Sequence, residues 1–288
     1  MKNFILFILL SITFSFTLNA GGPWPQKKGK AYIKLSEWGI RFNQHYTDTG
    51  KKDPNITTGI YNTFLYGEYG ISHRATGIFN GALFSRNTMN NLVSNTNKQV
   101  LIPGEAINSI GDIDVGLKYL LSGSGSRVAV SASLILGLPT GVTGRGAQGN
   151  LQTGDGEFNQ LLRFDAGTGF NIGKSTSAYI SLYTGINNRT ESFSEEWHYG
   201  IEGGIELGDE KIWLIGRLFG IESFKNGATA ETITSTSIFA NNSAFTSASL
   251  EVNYYITRKF GVSANVATAF RGEIIAAAPA YSVGVYLD

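Results

Sequence analysis

The chain has 288 residues with 23 basic and 22 acidic side chains, and its formal net charge of +1 argues against a nucleic-acid or polyanion partner. It contains no Cys, which excludes a disulfide framework and a lipoprotein anchor. Its 36 Gly, 18 Phe and 13 Tyr, against only 6 Pro, are typical of an all-β chain with tight bends.

The first 20 residues have the layout of a secretory signal peptide. Lys2 precedes an apolar run from Phe4 to Leu18, and Ala20 is a small residue before the predicted cleavage point. The alternative is a retained membrane anchor, but the run is short for a spanning helix and a Gly-Pro stretch follows it. We therefore expect a signal peptide over 1–20, a short periplasmic segment over 21–29 and one domain over 30–288.

Twelve later runs combine alternation with β-branched and aromatic residues between turn signals, which predicts strands. Each is long enough to cross a membrane as a tilted strand. The runs are 30–46, 58–71, 75–88, 110–122, 126–139, 157–172, 176–190, 196–208, 211–224, 244–257, 259–271 and 278–287.

The connections between these runs alternate in length. Tight polar turns such as "SHR", "GSGS" and "TRK" alternate with longer stretches such as 89–108 and "TGRGAQGNLQTGDG". Short periplasmic turns and long external loops are the pattern of an up-and-down outer-membrane barrel. We predict a single transmembrane antiparallel β-barrel of about twelve strands, or fourteen if a long loop hides a hairpin.

The two faces of each run differ in polarity. In 110–122 every second residue is apolar from Ile113 to Leu121, and the intervening positions include Asp112, Asp114 and Lys118. A Lys or Arg on the lipid face near the midplane would cost about 2–4 kcal/mol, so the charged face must turn inward. The alternation predicts a polar lumen and an apolar outer surface.

The predicted lumen charges are of mixed sign. One interpretation is a cross-strand network of ion pairs that fills a narrow barrel, and the other is a lining that tunes permeation. The predicted lumen-lining residues are Glu37, Arg41, Glu68, Asp112, Asp114, Lys118, Arg163, Asp165, Glu202, Glu206, Arg217 and Glu251.

Two runs do not alternate cleanly. Glu37 and Arg41 share a face with apolar residues of the first run, and Arg217 does so in 211–224. Either the lumen contains an apolar patch there, or a β-bulge shifts the register.

The sequence offers little for catalysis or metal binding. His45, His73 and His198 are too scattered for a metal set, and Ser194 would need a His beside it in space for hydrolysis. Asp155 and Glu157 do not have the spacing of a Ca²⁺ loop, and a solvated loop explains them better. We predict no enzyme activity, no cofactor and no metal.

One pair of runs resembles a known family. "GDIDVGLKYLL" at 111–121 and "VAVSASLILGLPTG" at 128–141 are similar to a signature of outer-membrane barrels assigned to the meta-cleavage pathway of phenol degradation. That family is related at fold level to transporters of hydrophobic compounds. The resemblance implies an outer-membrane barrel that takes up small, often aromatic or apolar, compounds.

The chain departs from that pattern at both ends. The hydrophobic-compound transporters have an N-terminal hatch in the barrel, whereas residues 21–29 are too few for a folded plug. The chain ends in Asp288, where many such barrels end in an aromatic residue, which puts the usual assembly signal in doubt.

The sequence therefore predicts a porin-like channel in the outer membrane of a Gram-negative cell. The expected partners are outer-membrane lipid, a small-molecule solute and the barrel-assembly machinery. The alternative is a plugged structural or surface-recognition barrel that acts through its external loops, with 89–108 and 229–242 as the candidate stretches.

Overall fold

The computed structural model describes residues 21–123, 125–147, 149–173, 176–208, 211–228 and 239–288. The predicted signal peptide and most of the external loop 229–242 lie outside the described residues. Within the described ranges, no helix is long and apolar enough to cross a membrane.

The described chain is built from antiparallel β-strands. In chain order they are β1 (Ala31–Tyr46), β2 (Lys52–Gly70), β3 (Ala75–Met89), β4 (Leu92–Val93), β5 (Val100–Ile102), β6 (Glu105–Ser109), β7 (Ile113–Leu120), β8 (Ala129–Leu138), β9 (Asn159–Ile172), β10 (Thr176–Arg189), β11 (Glu196–Leu207), β12 (Ile212–Ser223), β13 (Ala244–Tyr255), β14 (Phe260–Glu273), β15 (Ile275–Ala276) and β16 (Ala280–Leu287).

Twelve of these strands close into a ring. The order around it is β1, β2, β3, β7, β8, β9, β10, β11, β12, β13, β14 and β16. The ring closes on β1, where Leu35 lies opposite Leu65 of β2 on one side and Val285 of β16 on the other. Closure leaves no strand edge in the ring, as hydrocarbon requires. The prediction of a twelve-stranded up-and-down barrel is confirmed.

The remaining strands lie outside the ring. β6 pairs with the outer end of β3, and β15 pairs with the outer end of β1. β4 and β5 form a separate two-stranded hairpin. The long connection 89–108 therefore does contain a hairpin, but the hairpin does not enter the wall, and the fourteen-stranded alternative is wrong.

The outer surface of the ring is apolar and its inner surface is polar. Leu117 and Leu134 are each 50% exposed, whereas the neighbouring Lys118 and Ser133 are 2% and 3% exposed. This inverts the arrangement of a water-soluble protein, in which exposed leucines would be exceptional on such a scale. The apolar belt and closed wall place the chain in the outer membrane.

The first strand corrects one sequence prediction. Glu37 and Arg41 are exposed on the outer face of β1, not in the lumen. The β1–β2 register has no shift before Phe42, so the alternation carries both charges outward. Glu37 accepts a hydrogen bond of 2.7 Å from the hydroxyl of Thr63 on that surface.

The strand β12 resolves the other ambiguous run. Its pairings with β11 and β13 contain no register shift. Arg217 and the apolar Trp213 and Ile215 therefore all face inward, and each lines an internal cavity. The apolar patch inside the lumen is real, and no β-bulge is needed to explain it.

Candidate functional site: the barrel lumen

The periplasmic end of the lumen contains the segment that precedes β1. Residues 21–26 enter the barrel, where Pro23 is fully buried and the indole of Trp24 meets the Tyr179 ring edge-on at 5.8 Å. The backbone N–H of Gln26 donates to Thr76 Oγ1 at 2.9 Å. The sequence predicts a short periplasmic segment over 21–29, and residues 21–26 of that segment contact inward-facing side chains at the periplasmic end of the barrel.

Lys118 holds this segment in place. Its ammonium donates to the carbonyl oxygens of Gly22 at 3.0 Å and Trp24 at 3.3 Å, and pairs with Glu68 at 3.0 Å. The Lys118 and Glu68 side chains are almost completely buried. Because a buried charge must be paired and hydrogen-bonded, Lys118 ties the segment to both β7 and β2.

A network of ion pairs crosses one wall of the lumen. Arg217 pairs with Glu202 and, at 2.7 Å, with Glu251, and Lys34 pairs with Glu251 at 2.8 Å. The hydroxyl of Tyr179 donates to Glu202 at 2.6 Å. The network joins β1, β10, β11, β12 and β13.

A second ion pair lies on β9, the strand next to β10. Arg163 and Asp165, two residues apart on β9, face the same side and form a salt bridge of 2.6 Å. The guanidinium of Arg163 lies 3.8 Å from the centre of the Tyr183 ring, in cation–π geometry.

The structure places ten of the twelve predicted lumen residues on the inner side of the barrel. Nine of these ten lie in strands and Asp112 lies directly before β7, whereas Glu37 and Arg41 lie on the outer face. Those on the inner side are Glu68, Asp112, Asp114, Lys118, Arg163, Asp165, Glu202, Glu206, Arg217 and Glu251.

A chamber of about 560 Å³ occupies the outer half of the lumen. Most of its lining is apolar and comes from β1, β12, β13, β14 and the segment that joins β14 to β16. Phe219 and Phe245 meet edge-on at 6.2 Å in this apolar wall, beside Trp38 and Ile275. The size suits a small organic molecule.

The opposite wall of the chamber is acidic. Asp114, Asp155 and Glu196 line it, together with a single guanidinium, that of Arg189. Arg189 forms salt bridges with Asp155 at 3.0 Å and Glu196 at 2.6 Å, and a third with Glu157 at 2.6 Å. The Arg189 guanidinium therefore pairs with three carboxylates.

The loop 139–158 folds back against this acidic wall. Asp112 accepts hydrogen bonds from the N–H groups of Gly141 at 2.9 Å and Asp155 at 3.0 Å. Thr153 is fully buried and donates to the carbonyl of Ile110 at 2.8 Å. Burial raises the pKa of Asp112 to about 6, opposed by the hydrogen bond from Gly141.

Sequence reasoning missed this acidic group. We expected Asp155 and Glu157 in a solvated loop, but both are paired with Arg189 and Glu157 is buried. Arg189 and Glu196 lie at strand ends beside a short loop, where a charge is ordinarily exposed. Arg189 alternates in phase with Asn187 along β10, and Glu196 alternates in phase with Glu202 along β11, which was the signal that could have revealed them.

The residues considered for catalysis do not meet. The hydroxyl of Ser194 bonds to Asn226 at 3.0 Å and Ser223 at 2.7 Å, while His198 bonds to Glu196 at 2.9 Å. Within the described ranges, no group of His, Asp and Glu side chains could hold a metal ion. His45 lies at the outer end of β1, and its pairing partner there is Ala276.

Solved structures share this fold. The COG4313 outer membrane channel from Pseudomonas putida F1 aligns over 94% of this chain and 99% of its own, with a TM-score of 0.62 and 12% identity. The KdgM porin in complex with disordered oligogalacturonate aligns over 89% and 98%, with a TM-score of 0.50 and 8% identity. The beta domain of the Bordetella autotransporter BrkA aligns over 90% and 99%, with a TM-score of 0.51 and 10% identity.

These likenesses establish the fold of an outer-membrane barrel. At such identities they carry no substrate, since two channels and an autotransporter domain share the architecture. No family model matches the chain, and no curated protein matches it in sequence.

Proposed function

We propose that this protein is an outer-membrane channel for small solutes, with apolar or aromatic compounds as the favoured class. The observation that supports the proposal is a set of adjacent cavities in the lumen. Asp114 and Ile135 line both the outer chamber and a second cavity of about 320 Å³, and that cavity extends to Gly21, Gly22 and Lys118. The two cavities therefore lie next to each other in the lumen, and the second one reaches the N-terminal segment.

The lining of the outer chamber supports the solute class. Aromatic and aliphatic side chains cover one wall, and such surfaces gain free energy when they bury an apolar ligand. The resemblance of residues 111–141 to barrels of phenol degradation implies the same class.

Transport through this path requires the N-terminal segment to move. Residues 21–26 lie inside the periplasmic end, and the described contacts that hold them include the bonds from Lys118. The segment is short and has no secondary structure of its own, so few contacts need to break for the end to open.

Solute uptake tests the proposal. Cells that lack the protein and cells that produce it are compared for uptake of phenol-sized aromatic compounds and of sugars of similar mass. We expect the protein to accelerate uptake of the aromatic compounds more than that of the sugars. Equal uptake by both strains across the whole panel would contradict transport.

A blocking variant shows whether solutes use the chamber. Ala276 is buried and lines it, so Ala276→Trp should narrow the path and slow uptake. Ala147 is exposed on the external loop, and Ala147→Trp is the matched control that should leave uptake unchanged. Equal rates in the two variants would place the path elsewhere.

The closed periplasmic end also favours a second candidate. A plugged barrel that acts through its external loops needs no path, and the N-terminal segment would then be a permanent part of the wall. This candidate predicts no solute flux even after residues 21–29 are removed. It also predicts that surface recognition is lost when the external loop 89–108 is deleted.

A further inference from the structure

Two arginines lie on the lipid-facing side of the wall formed by β1, β2 and β3. Arg41 of β1 lies opposite Gly59 of β2. Arg86 of β3 lies opposite Tyr61 of β2, two positions further along that strand. Both arginines are exposed, and Tyr61 is 41% exposed on the same face. The two arginines therefore flank β2 from its two sides.

The position of both arginines along their strands places them at the outer edge of the lipid belt. Arg41 is ten positions beyond the start of β1 at residue 31, and Arg86 is eleven beyond the start of β3 at residue 75. A tilted strand climbs about 2.5 Å along the membrane normal per residue, so both lie about 25–28 Å above the periplasmic ends of their strands. The apolar belt of such a barrel is about 25 Å tall, so lipid headgroups begin at this height.

Exposed tyrosines mark the same boundary. Tyr61 of β2 and Tyr281 of β16 lie on either side of Gly39, two positions before Arg41. Their side chains are 41% and 60% exposed. Because aromatic girdles flank the apolar band of outer-membrane barrels at both interfaces, these tyrosines independently locate the headgroup region beside Arg41.

Two hydroxyl groups meet at Gly59, between the arginines. A Cβ at this position would lie 2.8 Å from Thr88 Oγ1 and 2.9 Å from the Tyr61 hydroxyl oxygen. The Thr88 hydroxyl donates to the Gly59 carbonyl at 3.3 Å. The Tyr61 hydroxyl has no partner in the part of the chain that the structure describes, so it is free to donate to an anion.

Within the described ranges, neither arginine is paired with a carboxylate. Arg86 donates to Asn108 Oδ1, a neutral acceptor, at 2.8 Å, and Arg41 has no ion pair or hydrogen bond. By contrast, Arg271 at the outer end of β14 forms ion pairs with two carboxylates. The wall between β1 and β3 therefore carries positive charge that the protein itself does not neutralise.

A second copy of the chain does not supply the missing anion. Glu37 is an acidic residue on the same face of β1, but it lies four positions nearer the periplasm than Arg41. That spacing corresponds to about 10 Å of depth. Copies related by an axis along the membrane normal meet at equal depths, so Glu37 of one would not reach Arg41 of the other.

We propose that Arg41 and Arg86, with the Tyr61 hydroxyl between them, bind a phosphate group of the anionic glycolipid in the outer leaflet. A guanidinium forms two parallel hydrogen bonds to phosphate oxygens, and two guanidiniums at the headgroup level match a lipid phosphate in charge and depth. The site lies on the outer wall, so the inference goes beyond the proposed function and does not depend on whether the lumen conducts.

Lipid binding to the folded full chain in an uncharged detergent tests the proposal, with native mass spectrometry as the readout. The probes are lipid A with both phosphates, the same lipid after dephosphorylation, and inorganic phosphate. We expect lipid A to bind at least about tenfold more tightly than its dephosphorylated form. Equal binding of the two lipids overturns the proposal, and so does displacement of lipid A by an equal concentration of inorganic phosphate.

Two matched double variants locate the site. Arg41→Gln with Arg86→Gln should weaken binding of lipid A at least about tenfold, because both guanidiniums are lost. Arg74→Gln with Arg258→Gln removes the same charge from exposed periplasmic turns and should leave binding unchanged. Equal binding of lipid A by the two double variants overturns the proposal.

A milder variant keeps the test available if Arg41→Gln with Arg86→Gln does not assemble. Tyr61→Phe removes only the hydroxyl and should weaken binding of lipid A about three- to fivefold. Unchanged binding in folded Tyr61→Phe would then overturn the proposed site.

Sedimentation of the same preparations distinguishes a lipid from a second copy of the chain. A monomer that carries lipid A supports the proposal. A dimer that forms without lipid A and dissociates in Arg41→Gln with Arg86→Gln overturns it, because these arginines would then lie in a protein interface.

Discussion

The inner and outer halves of the lumen balance charge in different ways. In the inner half, four cations contact four carboxylates, and these are Lys34, Lys118, Arg163 and Arg217 with Glu68, Asp165, Glu202 and Glu251. In the outer half one guanidinium, that of Arg189, serves three carboxylates. The inner half therefore matches each carboxylate with a cation, whereas in the outer half three buried carboxylates depend on one guanidinium.

Arg189→Met should have the largest effect on this comparison. It leaves three carboxylates in one buried cluster, and breaking a buried pair costs about 3–5 kcal/mol. The free energy of unfolding in micelles should fall by about that amount. Arg271→Met removes a half-exposed ion pair at the rim and should cost only about 0–1 kcal/mol. Equal losses of unfolding free energy in the two variants would show that Arg189 does not stabilise the acidic wall.

Lys118 tests the inner half. The double variant Lys118→Met with Glu68→Gln removes both charges but also the hydrogen bonds to Gly22 and Trp24. Each bond to the ammonium is worth about 1.5–3 kcal/mol, so the ratio of bound to released N-terminal segment should fall at least about tenfold. Open probability in planar bilayers should rise accordingly. Lys98→Met, in the external hairpin, is the control. An open probability equal to that of Lys98→Met would show that Lys118 and Glu68 do not hold the N-terminal segment in place.

Substitutions at two neighbouring residues test which face of the barrel wall meets lipid and which face lines the lumen. Leu134→Arg puts a charge on the lipid face, at a cost of about 2–4 kcal/mol near the midplane, and should reduce the assembled fraction in the membrane. Ser133→Arg points into a cavity of about 320 Å³ and should assemble well. Equal assembly of the two variants would reverse the assignment of faces.

The smallest expected effect is a pH dependence in the outer half. Asp112 has a pKa of about 6, so it is charged at pH 7.5 and neutral at pH 5. The free energy of unfolding should fall as pH rises from about 4 to 6, and less so in Asp112→Asn. Because the folded pKa is raised, the contribution of Asp112 to stability falls as pH rises from about 4 to 6. An identical pH profile in Asp112→Asn would show that Asp112 does not cause the pH dependence.

The barrel was predictable from sequence because the membrane imposes a strict rule on every strand. An apolar residue at each second position of 126–139 identifies the lipid face without any knowledge of the partner strands. The rule did not assign Glu37 and Arg41 correctly, because β1 has apolar residues on both faces. Alternation alone could not show which of its faces meets lipid.

The candidate site was predictable only in part. Asp112, Asp114 and Lys118 are visible because they interrupt an alternating run. The cluster around Arg189 depends on how the loop 139–158 folds back, and the closed periplasmic end depends on residues 21–26 turning inward. The alternation of apolar and polar residues does not determine how either segment folds. The sequence pattern alone therefore could not show that these groups meet.

The central claim is that the lumen is a path closed by a short removable segment. Single-channel recording in planar bilayers, on the chain that begins at residue 21 and on a chain that begins at residue 30, tests it most directly. We expect rare, small openings for the longer chain and a steady conductance for the shorter one. A shorter chain that assembles normally and carries no current would contradict it.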